Sequence, residues 1–552
     1  MNTESTLNRH WKIILGAIVV SGIAGGALYY LSKPSPAKVE TPKPKKKNKK
    51  KKSDASKSKD LGEQQPIESN KDVKVLAQEA KAAGNKLYAA KKFNEAIEQY
   101  TKAIALHTDA VFYCNRAASY SNIQEYQLAI NDCNEAIKLD KAYIKAFHRR
   151  ALAFEKLGNL KDALNDYTVV CVLESFQNQN SMAAPDRLLK VISTQRTEEI
   201  MKSKVTTMPS QTFISAYMDS FRATPSDAQI VLDLESETES DLLLKKTFTA
   251  YTKREWQTSF DLVNLAIKED KFSDKLIKAK AYNYRATLHF LMGLVNEAVE
   301  DLEKSLELDP KNVNSIIKRA TLYMERGEVE KTIQQFEKAE SVTKEHPDLF
   351  YHRGQVRFLT GDFEGAVQDY SNSLKYEKEN ESSVYVHIQM GVAKYKLGDL
   401  VGSDAKFKEA KKLFPKSAEV WNYHGEILMD KQNFADAEKS FLKAIEMDPK
   451  SPLPYINMAI LLLQWKNDGD GSEAQCKKAI EVDPLCDIAY TQLAQLLCHQ
   501  NKMDEALRVY NDAIKIARTE AEVMNIISCQ EAAAAQAHVM KNFPEAMAKL
   551  RQ

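Results

Sequence analysis

Residues 96–103 read AIEQYTKA, two alanines seven positions apart with a tyrosine between them. On a helix those positions share one face, so Ala96, Tyr100 and Ala103 form a narrow stripe that a second helix can approach closely. Related triplets are Ala129, Cys133, Ala136; Ala163, Tyr167, Val170; Thr332, Phe336, Ala339; and Ala437, Phe441, Ala444. The last members of all such triplets fall at 103, 136, 170, 266, 305, 339, 373, 410, 444, 479 and 513, and most steps are 33 to 35. A unit of that length holds two antiparallel helices and a turn, and it buries its face only by stacking on the next. The expected fold is an all-α solenoid of about eleven helical hairpins, a scaffold for gripping peptides.

The 34-residue period is that of tetratricopeptide (TPR) repeats, and the pattern resembles them in its small and aromatic positions as well. At 552 residues the chain exceeds one ordinary domain, but a solenoid grows by addition and needs no single large core. The net charge of +2 hides a division. Residues 1–60 carry 14 Lys/Arg against 4 Asp/Glu, which leaves 64 basic and 72 acidic residues in the remainder, a net of −8. Seven cysteines, odd in number and scattered at small-residue positions, fit a reducing compartment. Neither they nor the ten histidines show metal-ligand spacing, so no metal or other cofactor is expected.

From Ile13 to Leu31 the chain reads IILGAIVVSGIAGGALYYL, 19 residues without a charge. As a helix this stretch measures roughly 28 Å, close to the ~30 Å hydrocarbon core of a bilayer. Trp11 on one side and Tyr29 and Tyr30 on the other suit the interfaces. A cleaved secretory signal is the alternative, and the weak basic start and unpaired cysteines argue against it. Twelve lysines follow between Lys33 and Lys59, against Arg9 and Lys12 before the span, so the positive-inside rule places the C-terminal body in the cytosol. The run KPKKKNKKKK could serve as a nuclear signal or nucleic-acid arm, but it has no interleaved aromatics and an acidic body behind it. Beside a span it reads as an orientation signal lying on anionic lipid, with no nucleic acid as partner.

The expected division is a short N-terminus at 1–12, on the intermembrane-space side in the membrane named below, then a signal-anchor at 13–31 and a basic tether at 32–72. Three repeats follow at 73–177, a partly ordered linker at 178–239, eight repeats at 240–520, and capping helices at 521–552. Within the linker, RLLKVISTQRTEEIM reads as helical and LESETESDLL as a loop. Pro310, Pro415, Pro449 and Pro484 mark the ends of second helices.

In a TPR the first helix of each repeat lines the concave face. That face in the first three repeats gives Lys81, Asn85 and Tyr88, then Asn115, then Lys145 and Arg149. Cationic and amide donors thus converge on one groove and match a peptide carrying two carboxylates. The set resembles the dicarboxylate clamp of TPR co-chaperones, which implies the acidic Glu-Glu-Val-Asp tail of the seventy- and ninety-kilodalton heat-shock chaperones as ligand. By that resemblance Lys81, Asn85, Asn115, Lys145 and Arg149 hold the five clamp positions and Tyr88 the aromatic one beside them.

Anchor, basic tether, three-repeat clamp, linker and eight further repeats together resemble the large TPR-type preprotein receptors of the translocase of the outer mitochondrial membrane (TOM complex), in a fungal-like form. The resemblance implies single-pass residence in the mitochondrial outer membrane, docking of chaperones that carry hydrophobic preproteins, binding of the preprotein in the C-terminal repeats, and transfer to the import pore with other TOM complex subunits. The inward positions of the C-terminal repeats are far more apolar: Tyr284, Phe290, Ile317, Met324, Tyr351, Phe358, Val392, Tyr423, Met429, Met458, Leu461 and Trp465. Of these, Tyr351, Phe358, Val392, Tyr423, Met429, Met458 and Leu461 are the expected precursor contacts, flexible Met and aromatics suiting varied apolar segments. An enzyme is argued against, because no Gly-rich phosphate loop or nucleophile elbow is present. A membrane-anchored co-chaperone of the endoplasmic reticulum is the alternative, sharing anchor and clamp but needing no eight apolar-lined repeats.

Overall fold

A computed structural model describes residues 70–218, 220–221, 227–235, 238–377 and 383–544. The span at 13–31 and the tether, as far as residue 69, lie outside the described residues. Among those described, every regular element is helical, and no helix is long and apolar enough to cross a membrane. They form two compact units, one ending at Ile192 and taking in the residues from Ala534, the other comprising Ser193–Ala533.

The first unit stacks three hairpins: α1 (Asn70–Ala89) with α2 (Phe93–Leu106), α3 (Ala110–Asn122) with α4 (Tyr126–Leu139), and α5 (Ile144–Lys156) with α6 (Leu160–Leu173). The first half of α7 (Gln179–Ser203) covers the third hairpin, where Leu188 and Ile192 pack with Ala151, Leu164 and Tyr167. Ala535 joins that cluster, and Val539 packs with Phe147 and Val169. The last described stretch of the chain is therefore part of this unit's core.

The second unit begins with the rest of α7, then α8 (Gln211–Met218) and α9 (Asp227–Leu232). Eight hairpins follow: α10 (Glu239–Thr252) with α11 (Trp256–Glu269), α12 (Lys275–Leu291) with α13 (Val295–Leu308), α14 (Val313–Glu325) with α15 (Val329–Val342), α16 (Pro347–Leu359) with α17 (Phe363–Lys375), α18 (Val384–Lys396) with α19 (Leu400–Leu413), α20 (Ala418–Asp430) with α21 (Phe434–Met447), α22 (Leu453–Leu461) with α23 (Gly469–Val482), and α24 (Asp487–His499) with α25 (Met503–Ile516). A π-helical turn, Leu462–Lys466, extends α22. Helix α26 (Glu520–Asn542) covers the last hairpin, with Val523, Ile526 and Ile527 against Ala494, Tyr510 and Ile514. One reading of the linker needs correction: α10 starts inside the acidic stretch read as a loop. The Thr238 hydroxyl accepts from the Asp241 amide, and Glu239 and Asp241 occupy a first turn that favours negative charge.

Two devices, each sixteen residues long, close the hairpins. Gly84 of α1 faces the ring of Tyr100 on α2 so closely that a Cβ there would meet the ring at 2.6 Å; Gly354 faces Tyr370, Gly391 Phe407 and Gly425 Phe441 in the same way. The ring needs the missing side chain, which explains the small-and-aromatic pattern of the sequence. The second device is an arginine fork: Arg116 to Asp132, Arg150 to Asp166, Arg285 to Asp301 and Arg353 to Asp369, each with two hydrogen bonds of 2.6 to 2.9 Å from the first helix to the second. In each the guanidinium also lies 5.3 to 5.7 Å from an aromatic ring three residues earlier. The intervening turns pass through a left-handed residue, glycine at 158, 293, 327, 361 and 398.

Candidate functional site

In the first unit Lys81, Asn85 and Tyr88 stand one helical turn apart on α1, Asn115 on α3, and Lys145 and Arg149 one turn apart on α5. The polar side chains interlock. The buried Tyr100 hydroxyl donates to Asn85 Oδ1 at 2.8 Å, and Asn115 Nδ2 donates to the same oxygen at 3.2 Å. That oxygen is thus occupied, and the Asn85 amide N–H groups are left as donors for a ligand. Burial pushes the Tyr100 phenol above its usual range, so it remains a donor at neutral pH.

Arg149 spans two repeats, Nη1 donating to the Cys114 carbonyl of α3 and lying 3.0 Å from Cys114 Sγ. This contact fixes the guanidinium and leaves its remaining N–H donors available. Burial raises the Cys114 thiol while Arg149 and Lys145 pull it down; the net shift is upward, so sulfur there stays a neutral thiol. The neighbouring Arg150 differs completely: Asp166 takes its Nε and Nη2, and Asn134 takes Nη1 at 2.6 Å. Lys81 and Lys145 form no ion pair with any described residue, so their charges face solvent unopposed. The sequence reading overlooked Asn122, whose Nδ2 donates to the Tyr88 hydroxyl at 3.0 Å and orients that ring. Its signal was the spacing of one repeat, 34 residues, between Tyr88 and Asn122.

Most of the apolar set of the second unit is buried. Tyr351, Phe358, Val392 and Tyr423 are at most 5% exposed and belong to one cluster with Tyr370, Val386, Ile388 and Phe407. Met458 and Leu461 are buried with Leu428 and Phe441, and Met429 is the one expected contact that is partly exposed. Tyr284 and Ile317 are also buried, Phe290 and Met324 partly so, and Trp465 is exposed. A helix that packs on neighbours at both sides buries a broad stripe, so inward helical spacing does not separate groove wall from seam. Three residues on from Tyr423 is a buried carboxyl, Glu426. Burial raises it to about 7, against hydrogen bonds from Asn457 at 2.7 Å and Asn422 at 2.9 Å.

Hairpins of this length, closed by paired glycine and aromatic positions, define a TPR scaffold protein. Family models described as tetratricopeptide repeat match residues 110–143, 279–312, 388–452 and 460–521. The mitochondrial import receptor subunit TOM70 of Homo sapiens is 31% identical over 491 residues, covering 85% of this chain and 80% of that protein. TOM70 of Saccharomyces cerevisiae is 28% identical over 537 residues, covering 87% and 84%. The crystal structure of yeast Tom70 superposes with a TM-score of 0.53 at 26% identity, covering 86% of this chain and 99% of that one. The chain belongs to the TOM70 family, a family of mitochondrial import receptor subunits and not of enzymes.

Proposed function

We propose that the chain docks cytosolic heat-shock chaperones of the seventy- and ninety-kilodalton classes at the mitochondrial outer membrane through their acidic C-terminal tails, and receives hydrophobic preproteins for transfer to the import pore alongside other TOM complex subunits. The observation that carries the reading is that Lys81, Asn85, Asn115, Lys145 and Arg149 stand on three successive first helices, Asn115 bonded to Asn85 and Arg149 held on Cys114, with Tyr88 one turn from Asn85. Two carboxylates, from a chain terminus and a final Asp, match those donors, each charge-assisted hydrogen bond being worth about 1.5 to 3 kcal/mol. The second unit, 240–520 in the proposed division, takes the precursor on its inner helices, with Met429 at the surface and Tyr351, Phe358, Val392, Tyr423, Met458 and Leu461 beneath it. Membership of an import-receptor family supports the mitochondrial membrane over the endoplasmic reticulum.

Calorimetric titration of the full chain with a peptide ending in Glu-Glu-Val-Asp tests the groove. Amidating the peptide's C-terminus removes one of the two charges and is expected to weaken binding at least about tenfold; equal affinity for both forms overturns the assignment. The uncharged stretch at 13–31 and its lysine flank support one N-terminal span with the body in the cytosol. Protease added to intact mitochondria is expected to remove residues 70–552, and full protection of that body refutes the orientation.

A further inference from the structure

Residues 204–218, with Phe221, pack against several repeats of the second unit. Lys204 Nζ donates at 2.9 Å to the carbonyls of Ile514 and Lys515, the last turn of α25, where a cation is favoured. Helix α8 then carries Phe213 and Tyr217, and Phe221 continues the four-residue spacing just beyond it. The three rings meet successive elements. The Arg518 guanidinium lies over Phe213 at 4.1 Å while donating to the Leu291 carbonyl at the end of α12. Tyr217 is buried, 5.0 Å from Phe290 of α12. Phe221 packs with Ile316, Ile317 and Ala320 of α14, lies beneath Lys318, and stacks on His352 of α16 at 4.2 Å. His352 in turn touches the expected precursor contact Tyr351, at 4.9 Å between rings.

We propose that the inner face of α12, α14 and α16 is a binding site for a short helix bearing apolar rings at four-residue spacing, and that α8 together with Phe221 is its built-in occupant, displaced when such a segment of a client protein arrives. The inference deepens the reading of the second unit as a precursor receptor and rests on it. Three properties make α8 an occupant and not a further repeat. It is eight residues long, too short to persist as a helix without the surface it lies on. Among the described residues, no partner helix closes it into a hairpin by a glycine contact or an arginine fork. Its rings hold by burial, by stacking and by the Arg518 contact, which another set of rings at the same spacing can take over. An occupant tethered to its own site reduces the apparent affinity of any competitor by the fraction of time the site is open.

The probe is a fluorescent peptide of residues 209–221, PSQTFISAYMDSF, added to the full chain. In the variant carrying Tyr217→Ser and Phe221→Ser the tethered segment no longer fills the site. The peptide is expected to bind this variant at least about tenfold tighter than the parent, and a scrambled peptide is expected to bind neither. Equal affinity for variant and parent overturns the proposal. A second arm leaves the rest of the native packing in place: a benzophenone carried at position 221 is expected to crosslink to α14 and α16 on illumination, and saturating peptide is expected to suppress that crosslink. A crosslink unchanged while anisotropy reports bound peptide also overturns it. A hydrophobic preprotein that binds the chain but fails to compete with the peptide removes the precursor reading of this face and leaves self-occupancy standing; competition supports both.

Discussion

Arg149→Ala is expected to weaken binding of a Glu-Glu-Val-Asp peptide by about 2 to 5 kcal/mol, a loss of thirty-fold or more, with the fold nearly unchanged. Removing the guanidinium leaves a ligand carboxylate desolvated in the groove without its partner, and that penalty exceeds the value of the lost hydrogen bond. The fold is spared because, among the described residues, Arg149 hydrogen-bonds only the Cys114 carbonyl and sulfur. Arg149→Lys is expected to recover little, since an ammonium cannot reproduce the planar fork. Calorimetry with the peptide, together with a thermal melt, reads both halves of the expectation. Parent-like affinity, or a large fall in melting temperature, sinks it.

The second large effect is on stability. Asp166→Ala strips Arg150 of the carboxylate that takes two of its N–H groups, and the pair is well enclosed, with side-chain exposures of 18% for Arg150 and 2% for Asp166. Burial pushes the Asp166 carboxyl up, against the hydrogen bonds from Arg150 that pull it down, so the ion pair stands on its geometry. Leaving the guanidinium unpaired is expected to cost about 3 to 5 kcal/mol. The double variant Arg150→Met with Asp166→Leu, which removes both charges and keeps volume, is expected to lose much less. Urea titration of the three chains decides: a double variant as unstable as Asp166→Ala shows that packing and not the orphaned charge sets the cost.

The repeat architecture was legible because its causes are local. Tyr100 needs Gly84 opposite it, and the small positions of the second helix need a close neighbour, so the 34-residue period is written in residue sizes. The donor set of the first unit could be named from the sequence because its polar residues recur on the first helices α1, α3 and α5, although Asn85 and Arg149 also serve the packing by bonding Tyr100 and Cys114. The apolar set was not separable in that way, because Tyr351 or Val392 satisfies the same spacing whether it lines a groove or fills a seam. The helices of the linker were only partly visible. Phe213, Tyr217 and Phe221 keep a four-residue spacing, but the segment is short and its burial depends on α12, α14 and α16, some 70 to 140 residues further on. The arginine forks went unread as well, although Arg116 and Arg150, and Arg285 and Arg353, recur at whole multiples of the period.

The forks have a mechanical consequence. A guanidinium held by two parallel bonds resists shear between the helices it joins, because sliding by even an ångström breaks both bonds together. The same guanidinium also reaches the hairpin before it: Arg116 Nη1 donates to Thr101, Arg150 Nη1 to Asn134, Arg285 Nη1 to Asn264 and Arg353 Nη1 to Glu340. Each fork therefore pins three helices with one side chain, and a load that slides one hairpin past the next strains directional bonds as well as apolar contacts. At these four places the stack behaves as a riveted seam, and a groove beside it keeps its width until a rivet gives.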